Sequence, residues 1–311
     1  MGPLLILLLA ALAPAQNRTG VEPVFRSDVA SVRVDAQAVD RDGRNITGLT
    51  QRDFQIFDNG QPQKIAYFAH ETEPLDLLLL LDVSGSMQRS LAQLAATAEG
   101  ALAQLHPGDR AGLMLFARDA KVSEPFTADF GQVAMRIRDR VRDSSLGSGT
   151  AINSAIVSAA LYLRKEPARG RRAILIVTDN QSLNYQVPDE EVLRRLFAAD
   201  TVLNGMLIGK HKRPPPPRPG AYVNPDFTPS DVFKVSERSG GEAMEASKPG
   251  EALGRMIERI RARYGMQYAA PASPPGVFHE IRVELSPGAR ERYPGAVVRA
   301  RGGYCAAEDL R

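Results

Sequence analysis

Cysteine is almost absent from this chain, and so is any large excess of charge of one sign. Cys305 is the single cysteine in 311 residues, so the chain cannot form an intramolecular disulfide and its fold rests on no disulfide framework. The net charge of +3 at pH 7 provides no strong electrostatic attraction for nucleic acid. Hydrophobic residues make up 43% and charged residues 24%, values typical of a globular protein with one large or two ordinary domains.

The signatures of several common enzyme classes are also missing. There is no Walker A lysine and no dinucleotide-binding glycine set, and Ser84 and Ser86 lie in D-V-S-G-S rather than in a G-x-S-x-G nucleophile elbow. No His/Cys cluster has metal-ligand spacing. The histidines fall in turns, loops or β segments with no sign of convergence (His70, His106, His211 and His279). We therefore do not expect an enzyme of these classes.

The N terminus carries a short apolar run. Leu4 to Leu12 are followed by Ala13-Pro14-Ala15, the pattern of a signal-peptide apolar region with a small-residue cleavage site after Ala15. The run is shorter than the roughly 20 residues of a transmembrane helix. We expect residues 1–15 to be a cleaved signal peptide and the protein to be secreted or periplasmic. An uncleaved N-terminal membrane anchor is the alternative.

Five consecutive leucines, Leu77 to Leu81, form a continuous apolar stretch that ends abruptly. Its length and the break at Gly85 favour a strand buried on both faces over a buried helix segment. Oxygen-bearing side chains follow at alternating positions, at Asp82, Ser84 and Ser86. Ligands of open α/β sheets bind outside the carboxyl ends of the strands. These three oxygens therefore suit Mg²⁺ or a similar cation, which takes few protein oxygens plus waters.

Strand and helix patterns alternate after this stretch, which predicts a parallel sheet with helices on its faces. Thr150 follows the small, Gly-rich segment 144–149 at the start of a helix pattern, and Asp179 follows the apolar run Arg172 to Val177. Taken singly, Thr150 is better explained as a helix N-cap and Asp179 as a capping or turn residue. Further on, Pro214 to Pro217 and Pro219 predict an exposed polyproline loop within residues 210–229.

Strand patterns without helices lie at both chain ends. The alternation of apolar and polar residues from Val32 to Ala38 is typical of a half-exposed strand, and Asp58-Asn59-Gly60 predicts a hairpin between residues 54–57 and 64–68. Phe278 to Leu285 alternates clearly near the C terminus. We predict an N-terminal β module at 16–73, an α/β domain at 74–264 and a C-terminal β segment at 265–311 that packs with the N-terminal module.

The ordered set Asp82, Ser84, Ser86, Thr150 and Asp179 resembles the metal-ion-dependent adhesion site of von Willebrand factor type A domains. The first three residues match the family's D-x-S-x-S loop, and the other two match its G-x-T and T-D-G positions. Asn180 replaces the last glycine, a mild departure because asparagine tolerates left-handed backbone. The phrases G-L-T-Q-R-D-F and D-N-G-Q-P-Q-K-I, with the ending R-A-R-x-G-Y, resemble exported bacterial VWFA-related proteins. The resemblance covers almost the whole mature chain.

The resemblance implies a doubly wound, mostly parallel α/β sheet with helices on both faces, and a divalent cation held by the five residues. Mg²⁺ is the first candidate, and Mn²⁺ and Ca²⁺ are the others. It implies an exported adhesion-type module that captures an acidic side chain of an unidentified protein partner, in association with the cell envelope and without nucleic acid. A metal-dependent hydrolase at the same site, and a metal that only stiffens the loops, stay open as alternatives.

Overall fold

The computed structural model describes residues 31–70, 72–140, 145–147, 149–181, 183–184, 187–209, 228–229 and 231–306. The expected signal peptide at residues 1–15 and the proline loop at Pro214–Pro219 lie outside the described residues. Within the described ranges, no helix combines the length and the apolar character needed to cross a membrane.

Strands and helices follow each other largely as the sequence patterns predict. The strands are β1 (Ser31–Val39), β2 (Phe54–Asp58), β3 (Gln61–Gln63), β4 (Tyr67–His70), β5 (Leu75–Asp82), β6 (Arg110–Phe116), β7 (Ala120–Thr127), β8 (Arg171–Thr178), β9 (Leu183–Asn184), β10 (Val202–Ile208), β11 (Thr228–Pro229), β12 (Ala243–Ala246), β13 (Tyr264–Ala269), β14 (Phe278–Leu285), β15 (Val297–Ala300) and β16 (Gly303–Cys305). The helices are α1 (Gln88–Leu102), α2 (Phe130–Arg140), α3 (Ile152–Lys165), α4 (Asp189–Ala198), α5 (Val232–Ser239), α6 (Pro249–Arg261) and α7 (Pro287–Arg292).

A six-stranded sheet forms the middle of the α/β domain, in the order β12-β10-β8-β5-β6-β7. Neighbouring strands are parallel except for β7, which runs antiparallel to β6 at the edge. The five consecutive leucines of β5, Leu77 to Leu81, are all fully buried, at 0% exposure. Leu77, Leu79 and Leu81 share a core with α1, α2 and α6, whereas Leu78 and Leu80 share one with α3, α4 and α5. The predicted doubly wound sheet, with helices on both faces, is confirmed.

Strands from the two ends of the described chain build a separate β module. It consists of two four-stranded sheets, in the orders β15-β1-β13-β4 and β16-β14-β2-β3. Antiparallel pairing joins the chain ends directly, since Val34 lies beside Met266 and Ile56 beside Val283. The two sheets share one apolar core. The prediction that both chain ends form one β module is therefore confirmed.

The predicted hairpin after β2 is correct at its turn and wrong in its second strand. Asn59 and Gly60 both have positive φ, at 47° and 77°, as a two-residue hairpin turn of this type requires. The returning strand is β3, at 61–63, rather than residues 64–68. The chain crosses between the sheets at Ile65, which is buried in the shared core, so that β4 pairs with β13 instead.

Two further predictions need correction, both where the β module meets the α/β domain. β1 is not half-exposed, because its polar side chains Asp35 and Gln37 are buried at 8% and 0% exposure. They face the arginines and Glu242 of the α/β domain rather than water. The sequence pattern from Pro249 to Tyr264 predicts a single helix, but the helix ends at Arg261. Tyr264 instead begins β13 and donates its hydroxyl hydrogen to the backbone oxygen of Ile46.

Candidate metal centre

The first and last of the predicted metal ligands lie at the carboxyl ends of two neighbouring parallel strands. Asp82 ends β5 and Thr178 ends β8, and Leu81 is paired with Val177. The hydroxyl of Thr178 donates to Oδ2 of Asp82 at 2.7 Å. Asp179 follows Thr178 directly, and its carboxylate is close enough to act electrostatically on Asp82. The sheet register therefore brings Asp82 and Asp179 together.

The two predicted serines lie in the loop that leaves β5. The backbone N–H of Ser84 donates to Oδ1 of Asp82 at 3.0 Å, which folds the loop back over the strand end. The Oγ atoms of Ser84 and Ser86 are 3.3 Å apart. Ser84 is buried, whereas Gly85 and Ser86 are exposed, and a Cβ at Gly85 would meet nothing within 4 Å. The two hydroxyls thus lie side by side at the carboxyl end of β5.

Thr150 is held at the same carboxyl end of the sheet by a backbone contact of its neighbour with the residue just after β6. The backbone N–H of its neighbour Ala151 donates to the oxygen of Ala117, just beyond β6, at 2.9 Å. The N–H of Val83 donates to the oxygen of Phe116 at 2.8 Å, so the end of β6 also holds the loop that follows Asp82. The N-cap of α3 is Ala151. Thr150 therefore does not occupy the capping position that is the better explanation of this residue taken singly.

The electrostatics of the site are set by two buried carboxylates. Asp82 is 0% exposed and Asp179 is 3% exposed. Burial raises the pKa of Asp82 to about 6, against hydrogen bonds from Ser84 and Thr178 that lower it, and the Asp179 carboxylate raises it further. Across the described part of the chain, neither carboxylate is paired with an arginine, lysine or histidine. Two buried like charges without a counter-ion are unfavourable, and a bound cation would compensate them.

The donor set fits a hard divalent cation. It offers carboxylate and hydroxyl oxygens and no nitrogen or sulfur, which is the chemistry that Mg²⁺, Mn²⁺ and Ca²⁺ prefer. Among the residues that the structure describes, no group of three or more His, Cys, Asp and Glu side chains could hold a metal ion. The site therefore depends on hydroxyls and water to complete the coordination. That Asp82, Ser84, Ser86, Thr150 and Asp179 are its ligands stays a prediction.

Two residues that shape the site, Thr178 and Asn180, make side-chain contacts that the sequence analysis did not predict. Thr178 holds the Asp82 carboxylate through its hydroxyl. The sequence signal that could have indicated this contact is the position of Thr178 at the end of an apolar strand that neighbours β5. Asn180 adopts left-handed backbone with φ of 56°, as its similarity to glycine in this respect predicts. Its side-chain oxygen also accepts from the N–H of Val232 at 3.2 Å, which ties the aspartate loop to the start of α5.

Comparisons with known proteins agree with this architecture. Residues 77–181 match the family model of the von Willebrand factor type A domain. An uncharacterized protein of Borreliella burgdorferi (strain B31) is 24% identical over 186 residues, which cover 55% of this chain and 54% of that protein. The chain therefore spans about half the length of this curated relative.

Solved structures that are similar to this chain come from bacteria and from a mussel. An aerotolerance-related membrane protein from Bacteroides fragilis is 20% identical, with 60% of this chain and 98% of that chain covered and a TM-score of 0.46. A von Willebrand factor type A protein from Catenulispora acidiphila is 12% identical, with 92% and 76% covered and a TM-score of 0.45. Proximal thread matrix protein 1 from the mussel byssus, with a zinc-occupied MIDAS motif, is 15% identical, with 66% and 50% covered and a TM-score of 0.48.

Proposed function

Because this chain carries a von Willebrand factor type A domain, we propose that it is a metal-ion-dependent protein-binding module. The partner is a protein that offers an acidic side chain, and the cation is Mg²⁺ in the first place. The observation that carries the proposal is the pair of buried carboxylates, Asp82 and Asp179, without a cationic partner in the described structure, beside the hydroxyls of Ser84 and Ser86.

The contacts and the exposure of the chain's own residues support the proposal of partner capture. Thr178 and the N–H of Ser84 fix both oxygens of Asp82, so the carboxylate is oriented in advance of binding. Ser86 and Gly85 are exposed and leave the outer side of the loop accessible to a macromolecule. A bound divalent ion supplies a position at which an anionic oxygen is preferred over water.

The position of the β module supports the same function. Its buried contacts with the sheet are made at the amino ends of the strands, where Arg171 begins β8 and donates to Asp35 of β1 at 2.9 Å. The metal centre lies at the opposite, carboxyl ends. The β module therefore does not cover the site, and a partner protein can approach it. We propose that the protein acts outside the cytoplasm, in association with the cell envelope, as the signal-peptide pattern predicts.

Metal binding is tested first, with Mg²⁺ and Mn²⁺ as the probes in isothermal titration of the purified mature chain. Wild-type protein is expected to bind one ion, and Asp82→Ala and Asp179→Ala are expected to lose it. Asp139→Ala is the matched control, because Asp139 is an exposed carboxylate on α2. Equal binding by all four proteins would overturn the assignment of the site.

Partner capture is tested separately, by pull-down from a cell-envelope extract in Mg²⁺ or in EDTA. Capture in Mg²⁺ that is lost in EDTA and in both site variants supports an adhesion-type module. If the protein binds metal but captures its partner equally well in EDTA, the role of the ion is to stiffen the loops. Turnover of phosphoester or peptide substrates that disappears in the site variants would replace the proposal by a hydrolase.

A further inference from the structure

A small cavity lies where the β module meets the amino ends of the sheet strands, far from the metal centre. The volume open to the centre of a water-sized sphere is about 10 Å³, which is about what one particle of that size requires. Its lining is dominated by charged side chains from both parts of the chain, together with Thr201 and Val202; they are Arg33, Asp35, Arg171, Arg172, Asp200 and Arg301. Four arginines face two aspartates, so the lining carries an excess of positive charge.

Two of these arginines have an N–H group without a partner. Arg172 and Arg301 are each 8% exposed, and the Nε atom of each is buried and forms no hydrogen bond among the described residues. A buried donor left unpaired costs about 1–3 kcal/mol, so such groups normally have a protein, water or ion partner. Both residues line the same cavity.

Arg172 also has no carboxylate partner among the described residues. There its terminal nitrogens donate to backbone oxygens, those of Ala199 at 3.1 Å and Glu166 at 2.6 Å. Burial lowers the pKa of Arg172 below the usual arginine value, and the positive charges of Arg33 and Arg110 lower it further, against Asp200 and Asp76, which raise it. The positive charge of Arg172 is therefore incompletely compensated.

The two aspartates of the lining are already engaged by other groups. Asp35 accepts from Arg171 at 2.9 Å and from Arg263 at 2.6 Å, one on each carboxylate oxygen. Asp200 accepts from Arg301 at 2.8 Å and lies 3.8 Å from the Nε atom of Arg33. Their charges are thus offset by arginines, and neither pairs with Arg172.

We propose that this cavity is a binding site for a monoatomic anion, chloride, held by the Nε–H groups of Arg172 and Arg301. The space is small, and a monoatomic anion needs less of it than sulfate or phosphate does. Arg172 belongs to the α/β domain, and Arg301 follows β15 of the β module. The anion joins the two parts of the chain and stabilises their junction.

The direct test is a crystal of the full mature chain grown or soaked in sodium bromide, with data collected at the bromine absorption edge. An anomalous peak within hydrogen-bond distance of both Nε atoms is the expected result. Density for an ordered water in the cavity, without an anomalous peak, would overturn the proposal. This readout depends on no variant.

A solution test compares thermal unfolding in sodium chloride, bromide and gluconate at equal ionic strength, which separates anion binding from general screening. Binding to the folded state alone lowers the equilibrium constant of unfolding about tenfold when chloride is at roughly ten times its Kd. The gain in thermal stability in chloride relative to gluconate should vanish in Arg172→Met. It should persist in the control Arg169→Met, because Arg169 is an exposed arginine of the same segment. Equal stability of wild-type protein in chloride and gluconate contradicts the proposal.

Discussion

Replacement of Asp82 by asparagine should stabilise this protein in the absence of metal, although Asp82 is completely buried. Burial raises the pKa of this carboxyl from an ordinary value of 3.8 to about 6. One pKa unit corresponds to about 1.4 kcal/mol, so keeping Asp82 ionised in the folded, metal-free state costs about 3 kcal/mol above that pKa. Asparagine has nearly the same shape and carries no charge.

The hydrogen bonds of Asp82 are largely compatible with the substitution. The N–H of Ser84 can still donate to the side-chain oxygen, and the hydroxyl of Thr178 can turn to accept from the new amide. We allow about 1 kcal/mol for imperfect replacement of one bond. The net expectation is therefore a gain of about 2 kcal/mol in the free energy of unfolding at pH 7.5 in EDTA.

The raised pKa also determines how the metal-free wild type responds to pH. Below the ordinary value of 3.8, Asp82 is protonated in the folded and the unfolded chain, and its contribution to stability is fully present. Between that value and about 6 the folded state keeps the proton while the unfolded state releases it. Stability from this group therefore falls as pH rises through that window. The asparagine variant should lack this fall.

Urea unfolding of the two proteins at pH 5 and pH 7.5, in EDTA and in Mg²⁺, measures both effects. Mg²⁺ should stabilise the wild type at pH 7.5 and leave the variant nearly unchanged. Asp76→Asn is the matched control in the same strand, because Asp76 is equally buried but paired with Arg110 at 2.7 and 2.8 Å, so its neutralisation should destabilise. An Asp82→Asn protein that is less stable than wild type in EDTA, or equally stabilised by Mg²⁺, would refute the reasoning.

Three other substitutions probe parts of the fold that lie away from the metal centre. Burial opposes ionisation of Asp58, but hydrogen bonds from two tyrosines and a histidine outweigh burial and lower the pKa of Asp58. The stability that the ionised carboxylate contributes is therefore present above the ordinary pKa near 3.8 and is lost as pH falls through the lowered pKa. Asp58→Asn should cost about 1–3 kcal/mol at pH 7 and flatten this acid limb in urea titrations. Gly170→Ala should destabilise the protein by more than about 2 kcal/mol, because the new Cβ meets a backbone oxygen. Its control is Gly100→Ala, on the exposed face of α1, which should stabilise the protein by up to about 1 kcal/mol in the same urea titrations. Asp35→Ala leaves two buried guanidinium groups without their carboxylate, and a loss of about 3–5 kcal/mol is expected in thermal or urea unfolding.

The α/β domain could be predicted from the sequence because its signals are local. A run of five leucines is long enough for one buried strand, and the polar residues after it must then lie at the strand's carboxyl end. Asp179 likewise follows a buried apolar run and must lie at a carboxyl end of the sheet. That this run forms the strand beside β5 does not follow from chain order, and the expectation comes from the family resemblance. The structure shows that β8 does pair with β5.

The junction of the two parts could not be predicted, because its partners are distant in sequence. Asp35 pairs with Arg171 and Arg263, 136 and 228 residues away, and nothing in the alternating pattern of β1 distinguishes these contacts from exposure to water. The second strand of the first hairpin fails for a related reason. Whether residues after β3 continue in one sheet or cross to the other depends on β13, which lies near the opposite end of the chain.

β8 links the two charged regions of the molecule and keeps them apart. Its first residues, Arg171 and Arg172, belong to the junction with the β module, and its last, Thr178, holds Asp82 in the metal centre. Eight residues of strand span roughly 25 Å, and two unit charges at that distance interact by less than about 1 kcal/mol at an effective protein dielectric constant of about 20. Direct electrostatic coupling across the strand is therefore small. Because every residue of β8 is buried in the sheet, any coupling must pass through packing. It follows that neutralising Arg172 should change the stability of the junction and leave the pH dependence of Mg²⁺ binding unaltered.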